Sequence, residues 1–477
     1  MITQRTVRAC TLLCTATLSA CATTYIPQNK PLTDIDDKSG YRRFQENRLE
    51  ERGDTTVYLA FSGGGTRAAA ISYGVMQELR DTMIEAKGEQ VRLLDEVDTI
   101  SSVSGGSFTA AYYGVFGEQL FENYEEDFLR RDVQGTLIKQ LFNPVNWYKG
   151  VTQGFDRKEL AIDYYERYIF KGATFADIRA DGPFIEINAT DLGNGLRFTF
   201  LQERFDLMCT DLNSFSVARA VTASSSVPVA FPTVVIENHA DQCDITKTNT
   251  WKMLEEAELE GSTQERFVDG LKSYRNADNR KYIHLVDGGI SDNLGLRSAI
   301  DRLASIKSVK KSALARNPPK NIIVILVNAD IDAAKRLEET PENPSAGTTM
   351  GAFLDAQMEL YSYETRDRMR ESVKAFNKNA VDTDLPSRMY FAEVSFDNTR
   401  NENLKKLLNS MPTSLELEDE QIEQLIIAGR VLLRQEPSYK RFLQRNQGQL
   451  KRGAISEQEM CDQLALEGCH PKGSARN

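Results

Sequence analysis

Three short stretches of the chain carry side chains and backbone groups that could act together on an ester. The first is "SGGGTRAA", Ser62 to Ala69. A glycine loop that opens a helix turns its backbone N–H groups toward a bound anion. In acyl transfer that anion is the oxyanion of the tetrahedral intermediate. Gly63, Gly64 and Gly65 permit close backbone approach, and Arg67 is placed to steady the loop or a phosphate. The second stretch is "SSVSGGS", Ser101 to Ser107, with Ser104 at the centre of Ser102-Val103-Ser104-Gly105-Gly106. This is the G-x-S-x-G pattern of a nucleophile elbow, with serine at the first glycine position. The third is "HLVDGGISDN", His284 to Asn293. Asp287 ends an apolar run there, and two glycines let the chain turn away without crowding its carboxylate. Each stretch alone has a plainer reading: a serine-glycine loop, a turn aspartate, or, for Gly63, Gly65 and Ala68, the weak G-x-G-x-x-A dinucleotide fingerprint.

These residues need a frame. "TVYLAF", Thr56 to Phe61, reads as a buried strand that feeds the glycine loop. "TRAAAISYGVMQELRDTM" follows with Ile71, Val75 and Leu79 on one helical face. Strand, glycine loop and helix begin an α/β unit. The helix is expected to continue through "QELRDTMIEAKG", which denies a nucleotide site the acidic strand end it wants about 20 residues on. "FIEINATDL", "LRFTFL", "TVVIEN", "YIHLVDGG", "NIIVILVNAD" and "SRMYFAEVSF" read as further strands. His284 precedes Asp287 by three residues, so on a strand the two point to opposite faces, and His284 reads as structural. The aromatic segment from Phe116 to Phe170 either lines an acyl groove or dips into a membrane, or it packs as core helices. A polar insertion spans residues 239–280.

The net charge of −11 excludes a basic face for nucleic acid. The first twenty residues have Arg5 and Arg8, then an apolar run too short to span a bilayer. They end in "LSAC", which resembles the lipobox of bacterial lipoproteins. That resemblance implies a signal peptide over 1–20, a lipid on Cys21 and a place in the bacterial cell envelope. Ala22 in the next position, rather than aspartate, points to the outer membrane. A secretory signal cleaved nearby and a cytosolic N-terminus are the plainer alternatives. Residues 21–54 are polar and read as a flexible tether with a short helix near 42–51. The catalytic domain is expected over 55–400, and C-terminal helices with a tail over 401–477. Export permits disulfides, and the nearest pairs are Cys209 with Cys243 and Cys461 with Cys469. No spacing resembles a zinc site, so no metal is expected.

The three stretches, in this order, resemble the patatin-like phospholipase family. "NATDLGNGLRFTF" from Asn188 and "ARAVTASSSVPVAFP" from Ala218 are similar to two further regions of that family. The resemblance implies a three-layer α/β/α sandwich with a mostly parallel central sheet. It implies a Ser–Asp dyad without histidine, in which Ser104 is the nucleophile and Asp287 its base. It places Gly63, Gly64, Gly65 and Arg67 on the oxyanion loop, with a lipid or phospholipid ester as substrate and no cofactor. Ser62 stands where many members have aspartate, Ser102 replaces a glycine, and Gly295 stands where many have proline. The alternatives are an acyltransferase or thioesterase of similar fold, and a non-catalytic surface lipoprotein. Retention of both Ser104 and Asp287 speaks against the last.

Overall fold

The computed structural model describes residues 27–42, 54–86, 88–141, 157–228, 232–256, 262–308, 319–331, 341–382, 387–450 and 456–463. The chain passes through β1 (Thr55–Phe61), α1 (Gly65–Arg80), β2 (Thr82–Ala86), β3 (Glu89–Arg92), β4 (Val97–Val103) and α2 (Gly105–Phe116). It continues through β5 (Phe184–Asp191), β6 (Leu196–Thr199), α3 (Val217–Ser224), β7 (Val234–Glu237) and β8 (Tyr282–Asp287). Then come α4 (Arg297–Ser308), β9 (Asn321–Asn328), α5 (Ala346–Asp382), β10 (Arg388–Ser395) and α6 (Asp419–Gln435).

The main sheet has eight strands in the order β10-β9-β1-β4-β5-β8-β7, with β6 paired to β5. The run from β10 to β5 is parallel, and β8 is antiparallel to both β5 and β7. Strands covered on both faces read as unbroken apolar runs, and β9, "NIIVILVN", is buried along its whole length. Alternate residues of β1 and β9 face opposite ways. Val57, Leu59, Phe61, Ile323 and Val327 pack with α1, α2 and α6, while Tyr58, Ala60, Val324 and Leu326 pack with Leu296, Ala299 and Met369 on the α4/α5 side. The result is the expected three-layer sandwich, mostly parallel.

Three expectations are corrected, and one open alternative is settled. Helix α1 stops at Arg80, with Asp81 as its C-cap, and the Thr82 hydroxyl donates to the Glu78 carbonyl at 2.7 Å. Residues 82–86 then form β2, which buries Thr82, Ile84 and Ala86 in alternation and pairs with β3. This strand lies in a separate small sheet and not beside β1, and the strand that does pair parallel with β1, β4, ends in Ser102 and Val103, so the dinucleotide reading still lacks its acidic strand end.

Within the expected tether, residues 27–42 are docked on the domain. Asn29 pairs through its side-chain amide with both backbone groups of Glu237, at 2.8 Å each, on edge strand β7. Tyr41 stacks on Phe184, and Arg42 ion-pairs with Asp206 at 2.7 Å. A buried ring and a buried ion pair hold this polar stretch in place.

The boundary near residue 400 does not divide two bodies. α6 crosses α1 so closely that a Cβ on Gly74 would lie 2.1 Å from the Ile426 carbonyl oxygen, and one on Gly429 2.4 Å from that of Ile71. Buried Glu78 of α1 binds Arg430 and Arg434 of α6, and Ile422, Leu425 and Leu433 belong to the main core.

Finally, the described aromatics between 116 and 170 are largely core. Tyr124, Phe128, Tyr165 and Phe170 are fully buried, and Phe108 stacks on Phe128 at 4.3 Å.

The insertion carries helices Asn249–Glu255 and Ser262–Lys272 between β7 and β8. It is tied down by the Cys209–Cys243 disulfide, by the Tyr274 hydroxyl donating to Asp191 at 2.9 Å, and by an Arg280–Asp191 ion pair. Cys461 is also disulfide-bonded. Cys469, the signal segment, Cys21 and the helix expected beyond Arg42 lie outside the described residues.

Candidate active site

Sheet register brings two distant residues together. Val103 at the end of β4 is opposite Asn188 of β5, and Asp287 at the end of β8 is opposite the next residue, Ala189. Ser104 follows Val103 directly, so Ser104 and Asp287 meet across β5. The turn at Ser104 has φ 49° and ψ −121°, a strained conformation for a residue with a side chain. Its tightness explains the glycines. A Cβ on Gly105 would lie 2.0 Å from the Gly65 carbonyl oxygen, and one on Gly106 2.7 Å from that of Ser62. Ser102 fits the first position because its hydroxyl donates to the Glu186 carbonyl at 3.1 Å.

The end of α3 clamps both residues. The Ser104 amide donates to Ser224 Oγ at 2.9 Å, and Ser224 Oγ donates to the Asn188 carbonyl at 2.6 Å. The amides of Asp287 and Gly288 donate to the carbonyls of Ser226 and Ser224, at 2.9 and 3.1 Å. Asp287 is only 6% exposed. Burial pushes its pKa up to about 6, while the Gly289 amide, 2.8 Å from Oδ1, and the Ser104 hydroxyl pull the other way. Its neighbours are neutral, so its charge is not committed to a cation.

Neither described histidine bonds to this pair. His284 is exposed, with Nδ1 3.0 Å from the Thr233 hydroxyl, and His239 faces Gln242 in the insertion. His470 lies outside the described residues.

The glycine loop offers fewer free donors than the sequence implies. The Gly63 amide is committed to the Asn293 carbonyl at 2.9 Å. The amides of Gly64 and Gly65 have no acceptor among the described residues, and they sit at the start of α1 with φ +135° and +61°. The first value suits glycine alone, and at Gly65 a Cβ would lie 2.3 Å from the Ser414 carbonyl oxygen. Arg67 does not face the serine side. Its Nε donates to the Ala329 carbonyl at 2.9 Å and its Nη1 to that of Met411 at 2.7 Å, and burial lowers its pKa to about 10. It steadies the loop from behind. Ser62, in the position that is aspartate in many relatives, accepts the Ala329 amide at 2.9 Å and donates to the Gly63 carbonyl at 3.0 Å.

Sequence reading did not single out Ser224, Asn188 or Asn293, because their roles depend on partners far away in the chain. The similarity of "TASSSVP" and "NATDL" to family stretches was the available signal. Among the described residues no group of three or more His, Cys, Asp or Glu is placed to hold a metal ion, and no helix is long and apolar enough to cross a membrane.

The patatin-like phospholipase family model matches residues 59–300, which is 242 of 477 positions. No curated protein matches the chain. Among solved structures, human GIVD cytosolic phospholipase A2 is similar at 12% identity over 60% of this chain and 46% of that chain, with a TM-score of 0.32. The chain thus spans less than half the length of the human enzyme. VipD from Legionella pneumophila is similar at 10% identity, over 85% of this chain and 68% of that one, with a TM-score of 0.30. ExoU, from the type III secretion system of Pseudomonas aeruginosa and solved with SpcU, is similar at 14% identity, over 89% and 81%, with a TM-score of 0.20. With its motifs lying in one site and the family model matching half its length, the chain belongs to the patatin-like phospholipase family.

Proposed function

We propose that this protein is a lipid acyl hydrolase of the phospholipase A type that works through a Ser104–Asp287 dyad. One observation carries the reading: a serine on a strained elbow lies against a buried carboxyl whose neighbours are neutral and whose pKa is raised to about 6. A carboxylate with its ordinary pKa of about 3.9 is a weak base at neutral pH. Asp287 is ionised at pH 7 and closer to the strength the task requires.

In the first half-reaction Ser104 Oγ attacks the ester carbonyl carbon and its proton moves to the Asp287 carboxylate. The amides of Gly64 and Gly65 donate to the resulting oxyanion. Asp287 passes the proton to the departing alcohol oxygen, the C–O bond breaks, and an acyl-Ser104 ester remains. In the second half-reaction a water gives its proton to Asp287 while its oxygen attacks the acyl carbon. The proton returns to Ser104 Oγ as the fatty acid leaves. Each lost oxyanion donor is worth ~2.7–4 kcal/mol in such chemistry.

A lipid on Cys21 and attachment to the bacterial outer membrane belong to the same proposal, on the strength of "LSAC" behind a basic and then apolar leader. The docking of Asn29 on β7 shortens the free reach. Eight residue-to-residue steps lead from Cys21 to Asn29, which extend to at most ~29 Å. The domain would therefore be held close to the leaflet it acts on.

The test is fatty-acid release from phosphatidylglycerol/phosphatidylethanolamine vesicles. Wild type should release fatty acid and Ser104→Ala should not, with both folded. Release that survives Ser104→Ala, or wild type inactive on vesicles and on short esters alike, contradicts the reading.

A further inference from the structure

The glycine loop carries two unpaired amides on left-handed backbone, and something must hold them still. Asp330 lies partly buried just beyond the end of β9. Its Oδ1 accepts from Asn293 Nδ2 at 2.6 Å. Asn293 in turn accepts the Gly63 amide at its own carbonyl, and its side-chain oxygen crowds Gly63, since a Cβ there would lie 2.4 Å from it. On the other side Arg67 donates to the carbonyl of Ala329, the residue before Asp330, and Asp330 is the anion whose field acts on its guanidinium. Ala329 also donates its amide to Ser62 Oγ, at the start of the loop. From α5, Ser362 and Arg366 face the same carboxylate, and Arg366 is itself ion-paired with Glu393 at 3.0 Å.

We propose that Asp330 is the positioning residue of the oxyanion loop: its carboxylate fixes Asn293, and through it Gly63 and the two donor amides that follow. It does not touch the reacting atoms. Asn293 is the sixth residue after Asp287 on the turn leaving β8, so the same carboxylate couples the base's turn to the oxyanion loop. Burying charge around a glycine loop has a physical purpose here. Glycines have no side chains to pack, so the loop's position must be imposed by bonds to its backbone and to its single arginine. Removing the carboxylate leaves the Asn293 amide without its acceptor, and Asn293 can then rotate. Misplacement of a reacting group by about 1 Å costs on the order of 10²-fold in rate.

This inference rests on the hydrolase reading. The test is steady-state hydrolysis of p-nitrophenyl butyrate by wild type, Asp330→Asn, Asp330→Ala, Asn293→Ala and the Asp330→Ala/Asn293→Ala pair, each below its melting temperature. Each single variant should lose about 10- to 100-fold in kcat with KM changed less than threefold. The double variant should lose no more than the worse single one, because the two act as a unit. Asp330→Glu should recover part of the loss suffered by Asp330→Ala. A folded Asp330 variant with kcat within twofold of wild type overturns the proposal, and so do multiplicative losses in the double variant. If Asp330→Ala does not fold, the near-isosteric Asp330→Asn and the partner-side Asn293→Ala carry the test. Wild type that is inactive on the ester and unlabelled by a fluorophosphonate overturns the hydrolase reading instead.

Discussion

Two aspartates sit at strand ends on this site, and burial raises the pKa of each to about 6. Their surroundings differ in kind. Asp287, at the end of β8, meets an amide and a serine hydroxyl, both neutral. Asp330, beyond β9, meets Arg67, Arg366 and the Asn293 amide. The first carboxylate has no cation to serve, so its lone pair is available to a proton from Ser104. The second accepts from Asn293 and lies in the field of two arginines, each bonded elsewhere. A raised pKa therefore does not by itself identify a catalytic base; the neighbours do.

The largest effect expected from breaking this contrast is on chemistry. Ser104→Ala should fall to background in ester hydrolysis, and Asp287→Asn should lose about 10²–10⁴-fold, while Asp330→Asn loses far less. Equal losses at Asp287 and Asp330 would erase the distinction between base and positioning residue.

Stability should move the other way. The folded pKa of Asp287, about 6, lies above the unfolded value of about 3.9. Ionisation thus opposes folding above pH 6, and the penalty vanishes below about pH 4, where the group is protonated in both states. Asp287→Asn keeps an acceptor for the Gly289 amide and removes that charge. It should raise stability at pH 8 by up to about 3 kcal/mol and leave it little changed at pH 4, by denaturant unfolding. A variant less stable than wild type at pH 8 would contradict the account of a charge without a partner. In the same range, kcat/KM of the wild type should fall as pH drops through about 6, since the base must be ionised. A profile flat from pH 5 to pH 8 would exclude Asp287 as the titrating base.

The smallest effect is expected at His284, exposed on the far face of β8 and bonded to Thr233. His284→Ala should keep ester hydrolysis within about threefold of wild type, as surface changes usually do.

Much of this site was legible in the sequence because it is local. The elbow at Ser104, the glycine loop and the turn after Asp287 are each set by a few consecutive residues, and buried parallel strands announce themselves as apolar runs. What escaped notice is long-range or rests on alternation. "TMIEA" has helix-forming residues, yet Thr82, Ile84 and Ala86 face one side, and period two prevails once α1 has ended at its Asp81 cap. The docking of residues 27–42 depends on Asp206, 164 positions from Arg42, and on Glu237, 208 positions from Asn29. Arg67 reads as a support of either the loop or a phosphate until its acceptors at Ala329 and Met411 are known. Asn293 and Asp330 have no local signature at all, because each acts through partners on other strands.

The dyad itself is most directly tested by the rate of labelling with a fluorophosphonate, followed by mass spectrometry of the modified peptide. The account predicts a single adduct on Ser104, formed faster as pH rises through about 6. Labelling should be nearly abolished in Asp287→Asn and unchanged in His239→Ala and His284→Ala. An adduct on another serine, or a folded Asp287→Asn variant labelled at the wild-type rate, would contradict it.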